Sequence, residues 1–270
     1  MRGFVGGLEM QWWEEGHGPE GWVFLHAFPL YAAMWRPQLE RLPSGWRALA
    51  PDLRGFGGTD APHEEAYTMA EMADDVAALM DKVGMHRAVI VGLSMGGYVA
   101  QQMWARHRDR VRALVLACTR ARADTPEERE RRLELAAQVE REGIEPLIAH
   151  YLPRFFQVKG RRDDSELVQR VRRWMEETKP AAAARALRGM AERPDCTELL
   201  GTIDVPVLVL GGREDQLVPP AEIEALAAAI PGAEQVLLDD AGHLANLEQV
   251  EAFTAALVRF GERVAVAQPA

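Results

Sequence analysis

The sequence predicts an α/β fold in which parallel strands alternate with helices. From Trp22 onward, short apolar runs alternate with helical stretches, a pattern typical of parallel strands joined by crossover helices. The chain has 270 residues, of which 48% are hydrophobic and 27% are charged. That composition is typical of a folded globular protein, and a chain of this length buries a large core without a stabilising disulfide or metal.

Short buried runs bounded by turn residues place the strands. After an N-terminal hairpin, we expect strands at residues 23–25, 47–50, 88–92, 111–117, 206–210 and 235–238. Between the strands at 47–50 and 88–92, Thr68 and Glu71 have the spacing of a capping box, and Gly84 is a stop signal. These signals predict a helix over about 68–83. Further helices are expected from Pro219 to near residue 230 and over about 247–260.

Residues from about 120 to 199 interrupt this alternation. Strand signals vanish there, and charged, alanine-rich helices are expected at 126–142, 144–156, 164–177 and 180–191. We therefore predict a helical insertion over residues 120–199 in a core domain of residues 1–119 and 200–270. The third of these helices has an apolar stripe that must cover something apolar, formed by Leu167, Val168, Val171, Trp174 and Met175.

Charge and hydropathy exclude several classes of partner. The chain has 41 acidic and 31 basic side chains, a net charge of -10, which argues against nucleic acid as a partner. The uncharged stretch 88–100 contains glycines and is shorter than the roughly 18 residues of a membrane span. The apolar run after Met1 ends at Glu9, too short for a signal peptide. We expect a cytoplasmic protein without a membrane partner, and its oligomeric state stays open.

The two cysteines do not indicate a disulfide framework or a metal site. Cys118 and Cys196 are far apart in the sequence, form no CxxC motif and have no adjacent histidine. Both are expected to be buried, small, apolar side chains. We expect neither a metal nor a cofactor.

A serine between glycines follows the third of these strands and precedes a helical stretch, at Gly92-Leu93-Ser94-Met95-Gly96. In that context GxSxG forms a nucleophile elbow, a strained strand-to-helix turn that exposes the serine hydroxyl. Because glycine has no side chain, Gly92 and Gly96 let the backbone on the two sides of the turn approach closely. Ser94 is therefore the candidate nucleophile.

A serine hydroxyl is a poor nucleophile at neutral pH, so it needs a base and a group that orients the base. His243 lies in a loop after the last strand, and Asp215 follows the strand at 206–210. Both positions are at the sheet edge where such folds present functional loops. Asp239 and Asp240 are rival acids, but at three or four residues before His243 they would struggle to reach its ring. The order Ser94, Asp215, His243 fits the serine, acid, histidine order of one known arrangement.

These motifs together resemble the α/β-hydrolase superfamily over nearly the whole chain. The matching segments are 25–29, 52–60, 92–96, 212–215 and 241–243. The resemblance implies an eight-stranded, mostly parallel sheet with flanking helices, and a helical cap over residues 120–199 as a lid. It also implies an oxyanion hole from the backbone N–H groups of Phe28 and Met95. Ala27 departs from the family pattern, which usually has glycine after this histidine. Segments 92–97, 186–191 and 242–248 are similar to the 3-oxoadipate enol-lactonase and carboxylesterase branch.

The predicted function is a serine hydrolase that cleaves a small carboxylic ester or lactone through an acyl-enzyme. Cofactor-free perhydrolysis and carbon–carbon bond hydrolysis use the same three residues and stay open, as does a non-catalytic small-molecule receptor. We expect an apolar pocket that favours uncharged or aromatic acyl groups. Its expected lining residues are Leu30, Leu217 and Leu244 below and Phe155, Phe156 and Trp174 above.

Other polar residues have structural interpretations. His26, ahead of Pro29 at a strand end, is expected to steady the loop that carries Phe28. Asp52 and Arg54 are expected to brace the glycine-rich loop 52–60, which lacks the lysine of a phosphate-binding loop. His150 is one of the histidines expected at the surface.

Overall fold

A computed structural model describes residues 1–157 and 165–267. In these residues a sheet of eight strands has the order β1-β2-β4-β3-β5-β6-β7-β8. The pairs β1–β2 and β2–β4 are antiparallel, and all the other neighbours are parallel. The strands are β1 Arg2–Val5, β2 Leu8–Glu15, β3 Glu20–Leu25, β4 Trp46–Pro51, β5 Ala88–Leu93, β6 Val111–Ala117, β7 Val207–Gly212 and β8 Glu234–Leu238. The predicted eight-stranded, mostly parallel sheet is confirmed.

Helices cover the sheet and fill the interval between β6 and β7. In the described residues they are α1 Arg36–Leu39, α2 Met69–Lys82, α3 Met95–Arg106, α4 Pro126–Glu142, α5 Glu145–Tyr151, α6 Glu166–Glu176, α7 Pro180–Ala191, α8 Thr197–Leu200, α9 Pro220–Ala229, α10 Ala245–Glu248 and α11 Val250–Ala267. None of these helices is both long and apolar enough to span a bilayer.

Two capping boxes fix helix starts. At α2, the Thr68 hydroxyl accepts from the Glu71 N–H at 3.2 Å, and the Glu71 carboxylate accepts from the Thr68 N–H at 3.0 Å. The sequence predicted this box. Thr125 and Glu128 form the same arrangement at the start of α4, and their identical spacing is the signal that could have found it.

The helices between β6 and β7 differ from the predicted ones at two ends. The second was expected to reach residue 156, but α5 ends at Tyr151 and a single 3₁₀ turn follows at Leu152–Arg154. Pro153 explains the change, because proline has no N–H to donate and its ring clashes with the preceding helical turn. The predicted start of the third helix, Asp164, lies outside the described residues. The described part has Ser165 as N-cap, whose hydroxyl accepts from Val168 N–H at 3.2 Å.

The final helix of the sequence prediction is two helices in the structure. The expected element at 247–260 is replaced by the short α10 and the longer α11. Gln249 separates them with φ −123° and ψ 59°, which is not helical backbone. This break turns the chain directly after the loop of His243, so the loop is held by α10 while α11 packs on the core.

Candidate active site

Ser94 occupies the tight turn between β5 and α3. Its φ is 56° and its ψ −113°, a left-handed conformation that costs a non-glycine residue about 1–3 kcal/mol. A Cβ at Gly92 would collide with the carbonyl oxygen of Gly96, and a Cβ at Gly96 with that of Leu25. The turn therefore closes only with glycine at both positions.

Backbone hydrogen bonds hold the strained serine in place. The Ser94 N–H donates to the Ala117 carbonyl at 2.9 Å. The Ser94 carbonyl accepts from the Thr119 hydroxyl and from the Gly97 N–H, each at 2.9 Å. All of these hydrogen bonds use the backbone N–H and C=O of Ser94, and none of them uses its side chain.

His243 and Asp215 form a buried pair. Nδ1 of His243 lies 2.8 Å from Oδ2 of Asp215, and their side chains are 2% and 0% exposed. Oδ1 of Asp215 accepts from the N–H groups of Leu217 and Val218 at 2.8 and 2.9 Å. Because the carboxylate only accepts, Nδ1 carries the proton and Nε2 is left as the basic nitrogen.

The rival acids lie elsewhere. Asp239 pairs with Arg213 at 2.5 Å, and both side chains are exposed. Asp240 is exposed in a turn with φ 51°. The structure thus brings Asp215 to His243, while Asp239 is bound to a different partner.

Ser94 and His243 line one cavity of about 260 Å³. This volume is slightly below the usual range for drug-sized ligands and fits a small substrate. Core residues and residues of the helices between β6 and β7 both contribute to it. The lining residues are Phe28, Ser94, Tyr98, Arg120, Glu128, Arg131, Arg132, Leu135, His150, Tyr151, Arg154, Phe155, Met190, Leu217, Val218 and His243.

The expected pocket residues divide into two groups. Phe155 and Leu217 line the cavity, whereas Leu30, Phe156, Trp174 and Leu244 are not among its lining residues. Leu30 and Leu244 are fully buried in the core. The Trp174 ring packs against Tyr31 with centroids 6.2 Å apart, so it contacts the core away from the cavity.

The expected roof is apolar only in part, because arginines line the cavity beside Phe155. The residues that the sequence interpretation missed include Glu128, Arg131, Arg132 and Leu135 of α4. Their spacing places them on one face of a helix, and that periodicity was a signal that could have found them. The apolar stripe of α6 instead packs with α5 and the following turn inside the insertion.

The loop of His243 is tied to the end of the 3₁₀ turn. The His243 ring stacks on Phe155 with centroids 5.9 Å apart and an interplanar angle of 8°, and the Leu244 N–H donates to the Phe155 carbonyl at 2.9 Å. The Glu248 carboxylate accepts from the Gly242 N–H at 2.7 Å. It also accepts from the Gln157 N–H at 2.8 Å, so one carboxylate bridges both segments.

We expect Glu248→Ala to lower kcat by about tenfold or more, because the loop of His243 would lose its anchor and small displacements of a catalytic group are costly. Two backbone N–H groups would also lose their acceptor, so Tm should fall. Steady-state kinetics and thermal unfolding measure the two effects. Glu251→Ala, a change of an exposed glutamate at the start of α11, is the matched control. An unchanged kcat beside a lowered Tm would show that Glu248 only stabilises the fold.

His26 and Asp52 hold the loop that carries Phe28. Nε2 of buried His26 accepts from the Leu53 N–H at 3.0 Å, and Nδ1 donates to the Ala27 carbonyl at 3.0 Å. Burial lowers the pKa of His26 to about 4, against a smaller opposing effect of the Ala27 hydrogen bond. Asp52 accepts from the Ala32 N–H at 2.9 Å on the same loop. The position of His26 agrees with the role expected for it, and Asp52 also accepts from the Gly58 N–H at 2.9 Å in the glycine-rich loop that it was expected to brace.

His26 should make stability depend on pH. Its folded pKa of about 4 lies below the ordinary 6.5, so its contribution is complete above pH 6.5 and is lost as pH falls towards 4. At about 1.4 kcal/mol per pKa unit, the loss is about 3 kcal/mol. Urea unfolding of the wild type and His26→Gln across this range measures it. A glutamine side chain does not titrate, so an equal slope in both proteins would contradict the assignment.

Comparisons with known proteins agree with this architecture. The family model of the alpha/beta hydrolase fold matches residues 23–250. A pimeloyl-[acyl-carrier protein] methyl ester esterase of Neisseria meningitidis is 32% identical over 89% of this chain and 93% of its own length. A thermophilic esterase from Thermogutta terrifontis is 38% identical with a TM-score of 0.94, covering 98% of this chain and 99% of that one.

The enol-lactonase from Burkholderia xenovorans LB400 is 32% identical with a TM-score of 0.89, covering 96% of this chain and 99% of that one. The resemblance expected from the sequence is therefore confirmed. In the described residues, no group of three or more His, Cys, Asp or Glu side chains is placed to hold a metal ion. The chain belongs to the α/β-hydrolase family and is a hydrolase with esterase- and lactonase-type relatives.

Proposed function

We propose that this hydrolase cleaves small carboxylic esters or lactones through an acyl-enzyme intermediate. The observation that carries the proposal is the Asp215–His243 hydrogen bond of 2.8 Å beside a cavity that Ser94 also lines. Ser94 is the nucleophile, His243 the general base and Asp215 the group that orients the imidazole. The relatives named above act, by their names, as esterases or lactonases, which supports this reaction class.

The proposed reaction has two halves. Oγ of Ser94 attacks the carbonyl carbon while its proton passes to Nε2 of His243, and His243 then protonates the departing alkoxide oxygen. Water next attacks the acyl-enzyme, gives its proton to His243 and releases the acid with Ser94 restored. In both halves the backbone N–H groups of Phe28 and Met95 are assigned to hold the oxyanion. Met95 begins α3, so the positive end of the helix dipole favours that charge.

The test is labelling with an uncharged fluorophosphonate, followed by mass spectrometry of the peptides. One adduct is expected, on the peptide that contains Ser94, together with turnover of at least one ester or lactone in a panel. An adduct on Ser44 or Ser165 would refute the assignment of the nucleophile. Labelling of no serine would favour a receptor whose triad is silent.

A further inference from the structure

The loop that carries Phe28 is held from two sides. On the side of the core, Nδ1 of His26 donates to the Ala27 carbonyl at 3.0 Å. Further along the loop, the Ala32 N–H donates to Oδ1 of Asp52 at 2.9 Å. The Ala27 carbonyl and the Phe28 N–H belong to one planar peptide unit, so a bond to that carbonyl helps to fix the direction of that N–H. The helices between β6 and β7 hold the loop from the other side.

The contacts on this other side come from the junction between α6 and α7, residues 177–179. The hydroxyl of Thr178 donates to the carbonyl of Pro29 at 2.7 Å. Thr178 is only 4% exposed, and a buried carbonyl needs a donor within the protein. Pro29 directly follows Phe28 in the sequence. The bond from Thr178 therefore acts one residue away from the N–H that the proposed mechanism uses.

A second contact joins the same junction to the same loop. The Tyr31 hydroxyl donates to Oε2 of Glu177 at 2.6 Å, and the Tyr31 ring packs edge-on against Trp174 at an interplanar angle of 68°. Partial burial and the Glu177 carboxylate raise the pKa of Tyr31, so its hydroxyl stays protonated and keeps donating. Two consecutive residues of the junction thus bind the loop on the two sides of Leu30.

We propose that Thr178 is a positioning residue for catalysis, which holds the loop so that the Phe28 N–H faces the oxyanion, with the contact of Glu177 to Tyr31 as its support. Thr178 acts through the backbone of Pro29, since it is not among the lining residues of the cavity. The negative charge on the oxygen develops in the transition state, so a misplaced N–H raises the barrier and leaves substrate binding nearly unchanged. This inference rests on the proposed function and deepens it.

The first test is Thr178→Val, which keeps the shape of the side chain and removes the donor to the Pro29 carbonyl. We expect kcat to fall about tenfold or more with KM nearly unchanged, because small displacements of a catalytic group are costly. Thr178→Ser keeps the hydroxyl and should restore most of kcat. Steady-state kinetics with the ester of the panel that the wild type cleaves fastest measure both variants.

Thr254→Val is the matched control. The Thr254 hydroxyl also donates to a backbone carbonyl at 2.7 Å, that of Val250, and Thr254 is 5% exposed. It lies in α11 and does not line the cavity. Both valine variants lose one hydroxyl hydrogen bond, so both should have a lowered Tm, but only Thr178→Val should lose kcat. An unchanged kcat in Thr178→Val, or an equal loss in Thr254→Val, would overturn the inference.

A trifluoromethyl ketone analogue of that ester tests the oxyanion itself. Oγ of Ser94 adds to the ketone carbon, its proton passes to His243 and the carbonyl oxygen becomes the oxyanion. In Thr178→Val, the affinity for the ketone should fall by the same factor as kcat/KM. The affinity for the corresponding secondary alcohol, which forms no oxyanion, should stay unchanged. An equal loss for ketone and alcohol would show that the junction only shapes the cavity.

Hydrogen exchange followed by mass spectrometry separates this inference from the proposed function, because it needs no turnover. Peptides that cover residues 26–34 should exchange faster in Thr178→Val than in the wild type and in Thr254→Val. Tyr31→Phe keeps the ring against Trp174 and should have the same effect on exchange, so it tests the loop even if Thr178→Val does not fold.

Faster exchange in these variants supports the hold on the loop even if no ester is cleaved. Unchanged exchange of residues 26–34 in Tyr31→Phe and in folded Thr178→Val would overturn the inference, whatever the change in kcat. Labelling of Ser94 in the wild type would stand in that case.

Discussion

Ser94→Ala is expected to abolish ester cleavage, lowering kcat by about a millionfold, the size of the loss on removing the nucleophile of another serine hydrolase. The reason is that, in the proposed mechanism, the hydroxyl forms the covalent bond to the acyl group. The fold should be retained, because the anchoring hydrogen bonds of residue 94 use its backbone and not its side chain. Phosphonate labelling should vanish together with turnover.

The strain at Ser94 supplies an independent control. Its φ of 56° penalises any side chain, whereas glycine adopts this conformation readily. Ser94→Gly should therefore be as inactive as Ser94→Ala but more stable, by about 1 kcal/mol in urea unfolding. Equal stability of the two variants would mean that the turn is not strained. A kcat of Ser94→Ala close to that of the wild type would remove the serine from the mechanism.

Local sequence signals predicted most of the fold and the three residues of the proposed triad. The elbow around Ser94 needs only a buried strand, two glycines and a helix, all of which lie within a short segment. Asp215 and His243 were found because parallel strands bring the loops at their carboxyl ends to one edge. The elbow depends on residues adjacent in the sequence, and the placement of Asp215 and His243 depends on strands that are neighbours in the sheet. A cytoplasmic location and the cap boundaries at 120 and 199 stay predictions.

The residues that line the cavity were harder to predict from the sequence, because the lining depends on how the inserted helices pack. Trp174 lies on the strongest apolar stripe, yet that stripe serves packing within the insertion and the Trp174 ring rests on Tyr31. Arg131, in contrast, lies on α4, whose many charged residues are typical of a solvent-exposed helix. Amphipathic periodicity shows that a helix has two faces, but not what each face meets. The spacing of the α4 residues shows that they share one face, and the three-dimensional arrangement shows that this face lines the cavity.

Asp215→Asn is expected to lower kcat by about ten-thousandfold with little change in the fold, as in the analogous change in a serine protease. Oδ1 of Asp215 accepts from the N–H groups of Leu217 and Val218, so the oxygen of an asparagine must take that place. Its NH₂ group would then face Nδ1 of His243, which would have to accept. A neutral His243 would then carry its proton on Nε2. That nitrogen could no longer accept the proton of the Ser94 hydroxyl.

The loss of activity in Asp215→Asn should show a specific pattern of kinetics. Asp215→Asn should lower kcat with KM nearly unchanged, since Asp215 lies behind the imidazole and is not among the lining residues of the cavity. Asp239→Asn is the matched control, because its carboxylate is exposed and pairs with Arg213, and kcat should stay within about twofold since exposed ion pairs contribute little. A larger loss of kcat in Asp239→Asn or Asp240→Asn than in Asp215→Asn would assign the acid to that residue. The wrong tautomer arises only if the N–H groups of Leu217 and Val218 keep their hydrogen bonds to the asparagine oxygen.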